Sequence, residues 1–212
     1  MRLIDHTIKD FTALLASSEP APGGGSTSAL MGALGVSLTK MVGALTAGRA
    51  KYAEHADFVA ELLEKAARIQ TDFLAVIDED TQAYNEVGAV FAMPKETDAD
   101  KAARGQAMQK ALKACVAPPL KMMELSLEAS KLARAALGKT NTNAASDLGV
   151  AALSLGAAVQ GAWLNILINI GGIKDTAFVS EHREKGEDIL EKTLLLTDDI
   201  YRTIHDSLTG QA

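Results

Sequence analysis

The chain has 212 residues, 48% hydrophobic and 23% charged, with aromatics at only 4%. That is an ordinary soluble composition, with material for one sizeable core or two small ones. The formal net charge of −6, with no cluster of Lys and Arg, argues against nucleic-acid binding, which needs a basic stripe.

The single cysteine, Cys115, excludes an intrachain disulfide and a Cys-based zinc site. His6, His55, His182 and His205 lie far apart, with no HxxH or HExxH spacing. No metal is therefore expected. The start, M-R-L-I-D-H-T-I-K-D-F, carries no apolar signal core, so a cytoplasmic, membrane-free protein is the expectation. Alanine, leucine and glutamate abound, β-branched runs are few, and all five prolines precede residue 120. This predicts helix nearly throughout.

In chain order, Thr7-Ile8-Lys9-Asp10 forms a capping box for a short helix through Leu15. The segment P-A-P-G-G-G-S-T-S-A-L, residues 20–30, ends it. From Ser26 to about Ala47 the pattern is helical, with Leu30, Leu34, Leu38, Met41 and Leu45 on one face and Ser28, Gly32, Gly35, Thr39 and Gly43 on another. Interior glycines each cost up to about 1 kcal/mol. Repeated on one stripe, they imply that another backbone or a ligand comes close.

Residues 52–91 read as one very long helix, with the apolar stripe Phe58, Leu62, Ala66, Ile69, Phe73, Val76/Ile77, Tyr84, Val87, Phe91, closed by Pro94. At 1.5 Å per residue it would run about 60 Å, which suggests a kink or a partner subunit along part of it. Residues 98–116 form a charged helix, which Pro118-Pro119 breaks, and the next runs from Leu120 to about Leu137. After a polar turn at 138–147, Ser146 or Asp147 is a candidate N-cap. The helix 147–171 is the most apolar in the chain, and Gln160, Asn165 and Asn169 argue against its being a membrane span. A charged amphipathic helix over about 175–208 completes one all-α domain of about seven helices.

Function shows where polar groups interrupt an apolar register. With Phe73 at the centre of the buried stripe, 100° per residue puts Asp80 only about 20° off it, against about 140° for Asp78 and about 120° the other way for Glu79. Asp78 and Glu79 are thus read as solvated. An inward carboxylate either bonds a buried partner or has a raised pKa suited to acid–base chemistry. Asn165 and Asn169, at i and i+4, clamp a neighbouring helix or hydrogen-bond a heterocycle. Arg49, Lys51 and Tyr52 follow the glycine-striped helix, as cations capping it or as an anion site. The Gly-rich segment is no Walker loop, because no Gly-Lys-Ser/Thr follows, and no dinucleotide fingerprint, because no strand precedes it. A helix N-terminus facing a ligand survives as its reading.

In this order, P-A-P-G-G-G-S, M-V-G-A-L-T-A-G-R, D-E-D-T-Q-A-Y, M-P-K-E-T, N-A-A-S-D and N-I-L-I-N-I resemble the cyclodeaminase/cyclohydrolase family of folate enzymes. That family includes the C-terminal domain of formiminotransferase-cyclodeaminase and stand-alone bacterial methenyltetrahydrofolate cyclohydrolases. With no formiminotransferase domain in the chain, a stand-alone member is expected. The resemblance implies an all-helical homodimer packed through long helices, with folate near the subunit interface and an acid of the D-E-D segment as catalyst. Helical phase selects Asp80 for that role. The expected binding residues are Gly23, Gly24, Gly25 and Ser26 at the pocket wall, Asn165 and Asn169 on the pterin or water, and Arg49 and Lys51 on the glutamate tail. Asn143 and Asp147 of N-A-A-S-D complete the set. The expected activity is cyclohydrolase, with cyclodeaminase as the alternative, on a tetrahydrofolate substrate and without further cofactor or metal. A non-catalytic folate carrier or interaction module is the rival from another class.

Overall fold

Strong helix formers and apolar stripes produce seven α-helices in the computed structural model, which describes residues 2–210. They are α1 (Ile8–Leu15), α2 (Gly24–Ala44), α3 (Ala56–Phe91), α4 (Asp98–Ala114), α5 (Ala117–Ala136), α6 (Ala145–Ile170) and α7 (Thr176–Thr209). At the start of α1, Thr7 Oγ1 accepts from the Asp10 N–H at 3.1 Å and donates to the Asp10 carboxylate at 2.7 Å. The N-cap half of the expected capping box is present, but its reciprocal bond, from the Thr7 N–H to the Asp10 carboxylate, is not formed.

The core lies among α2, α3, α5, α6 and α7. The stretch Thr142–Ile170 is long and apolar enough to cross a membrane, so its three amides do not disqualify it on composition. What decides its role is burial. Leu155, Val159 and Ile166 have no exposed surface, and α6 packs on α2, α5 and α7.

The small-residue stripe of α2 is its buried face, and other helices come close to it. Phe73 fills the space beside Gly32, Leu62 that beside Gly43, and α6 that beside Gly35. Tight helix packing accounts for the stripe. A methyl at Gly35 would stand 2.8 Å from Leu155 Cγ and 3.0 Å from the Ala151 carbonyl oxygen, and backbone cannot step aside as a side-chain tip can. Overpacking costs about 1–3 kcal/mol, while alanine regains up to about 1 kcal/mol of helix propensity. Gly35→Ala is therefore expected to lower the urea midpoint by about 1–2 kcal/mol of stability. An unchanged midpoint would show that α2 and α6 can separate freely.

Three helix starts and the burial of one stripe differ from the sequence reading. The long helix starts at Ala56, because Ala50–His55 is a 3-10 turn in which Tyr52 is non-helical (φ −116, ψ 19). Its stripe is buried from Val59 to Ile77, but Tyr84 and Phe91 are exposed, so α3 runs past the core. Pro118 and Pro119 sit inside the first turn of α5, where a missing N–H is harmless. Neither Ser146 nor Asp147 caps α6. Its N-cap is Ala144, and Asn141 caps the preceding 3-10 turn by accepting from the Asn143 N–H at 3.1 Å.

Candidate functional site

The Gly-rich turn, the D-E-D segment and the twin asparagines converge on one pocket of about 270 Å³. It opens where the N-terminus of α2 is wedged between α3 and α6. Gly23, Gly24, Gly25 and Ser26 form one wall, Asp80 and Thr81 the second, and Asn165 and Asn169 the third. Cys115, at the end of α4, closes the floor. Seven of the eleven residues expected at the site from the sequence thus line one cavity.

Glycine is required where the walls touch. A Cβ at Gly25 would stand 2.5 Å from the Asp80 carboxyl carbon, so a side chain there would displace the carboxylate. On the opposite side Gly161 makes room for Ser28, whose hydroxyl donates to the Gly24 carbonyl at 2.7 Å. Thr27 likewise donates to the Gly23 carbonyl at 2.9 Å. The first turn of α2 is fastened to itself and packed against both neighbours.

Asp80 faces inward, as its helical phase predicts. Burial raises its pKa above the ordinary carboxylate value, and the Ser26 hydroxyl and N–H, which favour the ionised form, offset this only in part. Asp80 is the only charged side chain among the pocket's lining residues. The two asparagines are oriented by their own bonds. Asn165 Nδ2 donates to the Gly161 carbonyl at 2.7 Å and Asn169 Nδ2 to the Cys115 carbonyl at 2.8 Å. Among the described residues neither Oδ1 has a partner, so each is free to accept from a ligand.

The other two acids differ from Asp80 as expected, though Asp78 is not simply solvated. Its Oδ1 accepts from the Leu3 N–H at 2.8 Å, tying the N-terminal segment to α3. Glu79 is half-exposed and pairs with Lys121 at 3.0 Å. Cys115 and Thr81 are pocket residues that sequence reasoning missed. Thr81 follows Asp80 directly, but nothing in the sequence signals that Cys115 would reach the site from another helix. Its Sγ donates to the Ala83 carbonyl at 3.1 Å, and burial pushes its pKa up to about 11. The thiol stays protonated near neutrality and is no nucleophile.

Arg49, Lys51, Asn143 and Asp147 are not brought to this pocket within one protomer. Arg49 and Lys51 are exposed at the far end of α2, about 30 Å along the helix from Gly24 at 1.5 Å per residue. Tyr52 is buried there, and its hydroxyl oxygen accepts from the Thr142 N–H at 3.0 Å, which places Asn143 and the start of α6 at that same end. Among the described residues no three His, Cys, Asp or Glu side chains cluster closely enough to hold a metal.

The class defined by fold and site is an all-helical protein whose pocket holds one inward carboxylate and two oriented amides. The sequence profile of the formiminotransferase-cyclodeaminase family matches residues 7–188, and the chain belongs to that family. It is 38% identical over 200 residues to the methenyltetrahydrofolate cyclohydrolase of Methylorubrum extorquens, covering 94% of this chain and 96% of that one. It is 33% identical over 193 residues to the formimidoyltransferase-cyclodeaminase of Sus scrofa, of which it spans only 35%. The fold matches the crystal structure of formiminotetrahydrofolate cyclodeaminase from Thermotoga maritima, with a TM-score of 0.80, 23% identity and 97% of both chains covered.

Proposed function

We propose that this chain hydrolyses 5,10-methenyltetrahydrofolate to 10-formyltetrahydrofolate, with Asp80 as the catalytic base. The observation that carries this is the lone carboxylate in an otherwise uncharged pocket. The methenyl carbon bridges N5 and N10 and carries a positive charge, so an isolated anion beside it stabilises the reacting group. Asp80 takes a proton from water as the oxygen attacks this carbon. The tetrahedral intermediate then breaks its C–N5 bond, N5 receives a proton, and one proton is released to solvent. A raised pKa keeps Asp80 basic enough for both transfers. The free Oδ1 atoms of Asn165 and Asn169 accept from the N–H groups of the pterin edge. The pocket lies near the lower limit of ligand sites, about 300 Å³, so it suits the ring system and leaves the glutamate tail outside.

The nearly full-length match to a cyclohydrolase supports this over cyclodeamination, in which N10 closes on the formimino carbon and ammonia leaves. The same base serves either path, and relatives bear both names. Purified protein assayed with both substrates is expected to abolish methenyl absorbance and to release no ammonia from the formimino compound. Ammonia release at a comparable rate would make it a cyclodeaminase. Tight folate binding without turnover would make it a carrier.

The working unit we propose is a homodimer packed through α2 and α6. Leu34 on α2, and Leu164 and Ile168 on α6, are 54%, 66% and 76% exposed. Leu164 and Ile168, at i and i+4, share one face of α6, and Ile168 lines the pocket, so the exposed apolar side of α6 reaches the site. Exposed apolar patches of this kind mark interfaces. A two-fold axis near the middle of α2 would set the helix antiparallel to its mate. Arg49 and Lys51 of one protomer would then lie beside the Asp80 pocket of the other, where the glutamate tail emerges.

A further inference from the structure

Six hydroxyl side chains of α2 and its C-terminal turn make hydrogen bonds, and five of them fold back on the carbonyl four residues earlier. Thr27, Ser28, Ser37, Thr39 and Thr46 all do so, at 2.6–3.2 Å. Ser26 does not. It is fully buried, and its Oγ points across to α3, 3.5 Å from Asp80 Oδ2 and 3.3 Å from Thr81 Oγ1. It has no other partner among the described residues. Neither contact is a short hydrogen bond, which is common for catalytic groups before a ligand arrives and tightens them.

We propose that Ser26 is a positioning residue for the catalytic carboxylate, linked to Thr81 as a two-hydroxyl relay, with the bare Cα of Gly25 providing the seat. This rests on the reading of Asp80 as the base. With Asp80 ionised, Thr81 O–H donates to Ser26 Oγ and Ser26 O–H donates to Asp80. With Asp80 protonated, the chain reverses: Asp80 O–H donates to Ser26 Oγ and Ser26 O–H to Thr81. With Asp80 ionised every hydroxyl of the chain donates inside the protein, whereas with Asp80 protonated the O–H of the half-buried Thr81 turns to solvent. The relay thus favours the ionised form yet keeps the carboxylate bonded to Ser26 in both states. Gly25 completes the arrangement, because only a residue without Cβ lets the carboxylate approach the end of α2.

Among the described residues no other charged side chain lines the pocket with Asp80. Cys115 and Tyr84 are the other titratable residues lining the pocket. On its own helix, Asp78 is held by the Leu3 N–H and Glu79 by Lys121 of α5. The parts of α2 and α6 that face it carry only Ser26, Asn165 and Asn169 as polar side chains at the pocket.

The test uses the full chain with Ser26→Ala, Thr81→Val and Asp80→Asn, read out by methenyl hydrolysis across pH and by the carboxyl ¹³C titration of Asp80 in ligand-free protein. Ser26→Ala is expected to lower kcat roughly three- to tenfold, the worth of a hydrogen bond to an ionised group weakened by its length, with KM within twofold. Its acid limb and the Asp80 titration should both move to higher pH, since a bond favouring the ionised form is lost. Thr81→Val should shift both in the same direction by less. If neither the acid limb nor the Asp80 titration moves in Ser26→Ala, the relay is refuted. Full activity in Asp80→Asn would instead refute the base assignment, and the ligand-free titration would still decide whether Ser26 and Asp80 are coupled.

Discussion

Asp80→Asn is expected to leave less than about a hundredth of wild-type kcat/KM on methenyltetrahydrofolate, while the variant melts no lower than wild type. The loss follows from removing both the base and the one negative charge at the reacting carbon, each commonly worth about 10²-fold or more. Retention of more than about a tenth, a deficit of under about 1.4 kcal/mol, would sink the assignment. Stability is expected to move the other way. The folded-state pKa of Asp80 is raised by burial, so between the ordinary carboxylate value and that raised value the folded state binds more protons than the unfolded state. Stability falls as pH rises through that window, and the deficit persists at neutral pH. Asn keeps the shape and carries no charge, so the deficit disappears. For a chain of this length each 1 kcal/mol regained moves Tm by about 2–4 °C. In wild type the same raised pKa sets the acid limb of the rate profile: activity falls as pH drops through it, at a higher pH than an exposed aspartate would give. Thermal unfolding of both proteins at neutral and mildly acidic pH checks the sign, since the gain should shrink on acidification.

Mixed oligomers test the second large effect. Asp80→Asn and the double variant Arg49→Ala/Lys51→Ala are each expected to be impaired alone, the first in kcat and the second mainly in KM for polyglutamylated substrate. Co-refolded in equal amounts, about half of the dimers are heterodimers, and each of these has one site with Asp80 from one chain and both cations from the other. About a quarter of wild-type activity should return if sites are shared across a two-fold interface. No recovery would mean that Arg49 and Lys51 act within their own protomer or not on the substrate at all. A companion pair, Leu34→Arg with Ile168→Glu, is expected to yield monomers by sedimentation and to lose most activity on the long-tailed substrate. A dimer that survives both charges would place its interface elsewhere.

Much of this was legible in the residues because helices report their own geometry. The 3.6-residue period alone turned Asp80 inward and kept Asn165 and Asn169 on one face. Composition predicted helix nearly throughout, as found, and the ordered motifs pointed to a folate-enzyme family that the profile match bears out. The glycine stripe of α2 also announced a close approach, but the period of one helix cannot say what approaches it. Only the packing identified Phe73, Leu62 and Leu155 as the neighbours, and only it showed that Gly25 is bare to admit a carboxylate from α3. Boundaries were the weaker part. The start of α6 and of α3 depends on short 3-10 turns held by Asn141 and Tyr52 through long-range bonds, which carry no local signature. The pocket itself lay furthest from view. Cys115 and Thr81 join it, and Arg49 and Asn143 stand at the other end of α2, because distances between helices are set by side chains meeting across a core. A linear periodicity encodes which face a residue takes; which other face it meets is decided by the tertiary packing.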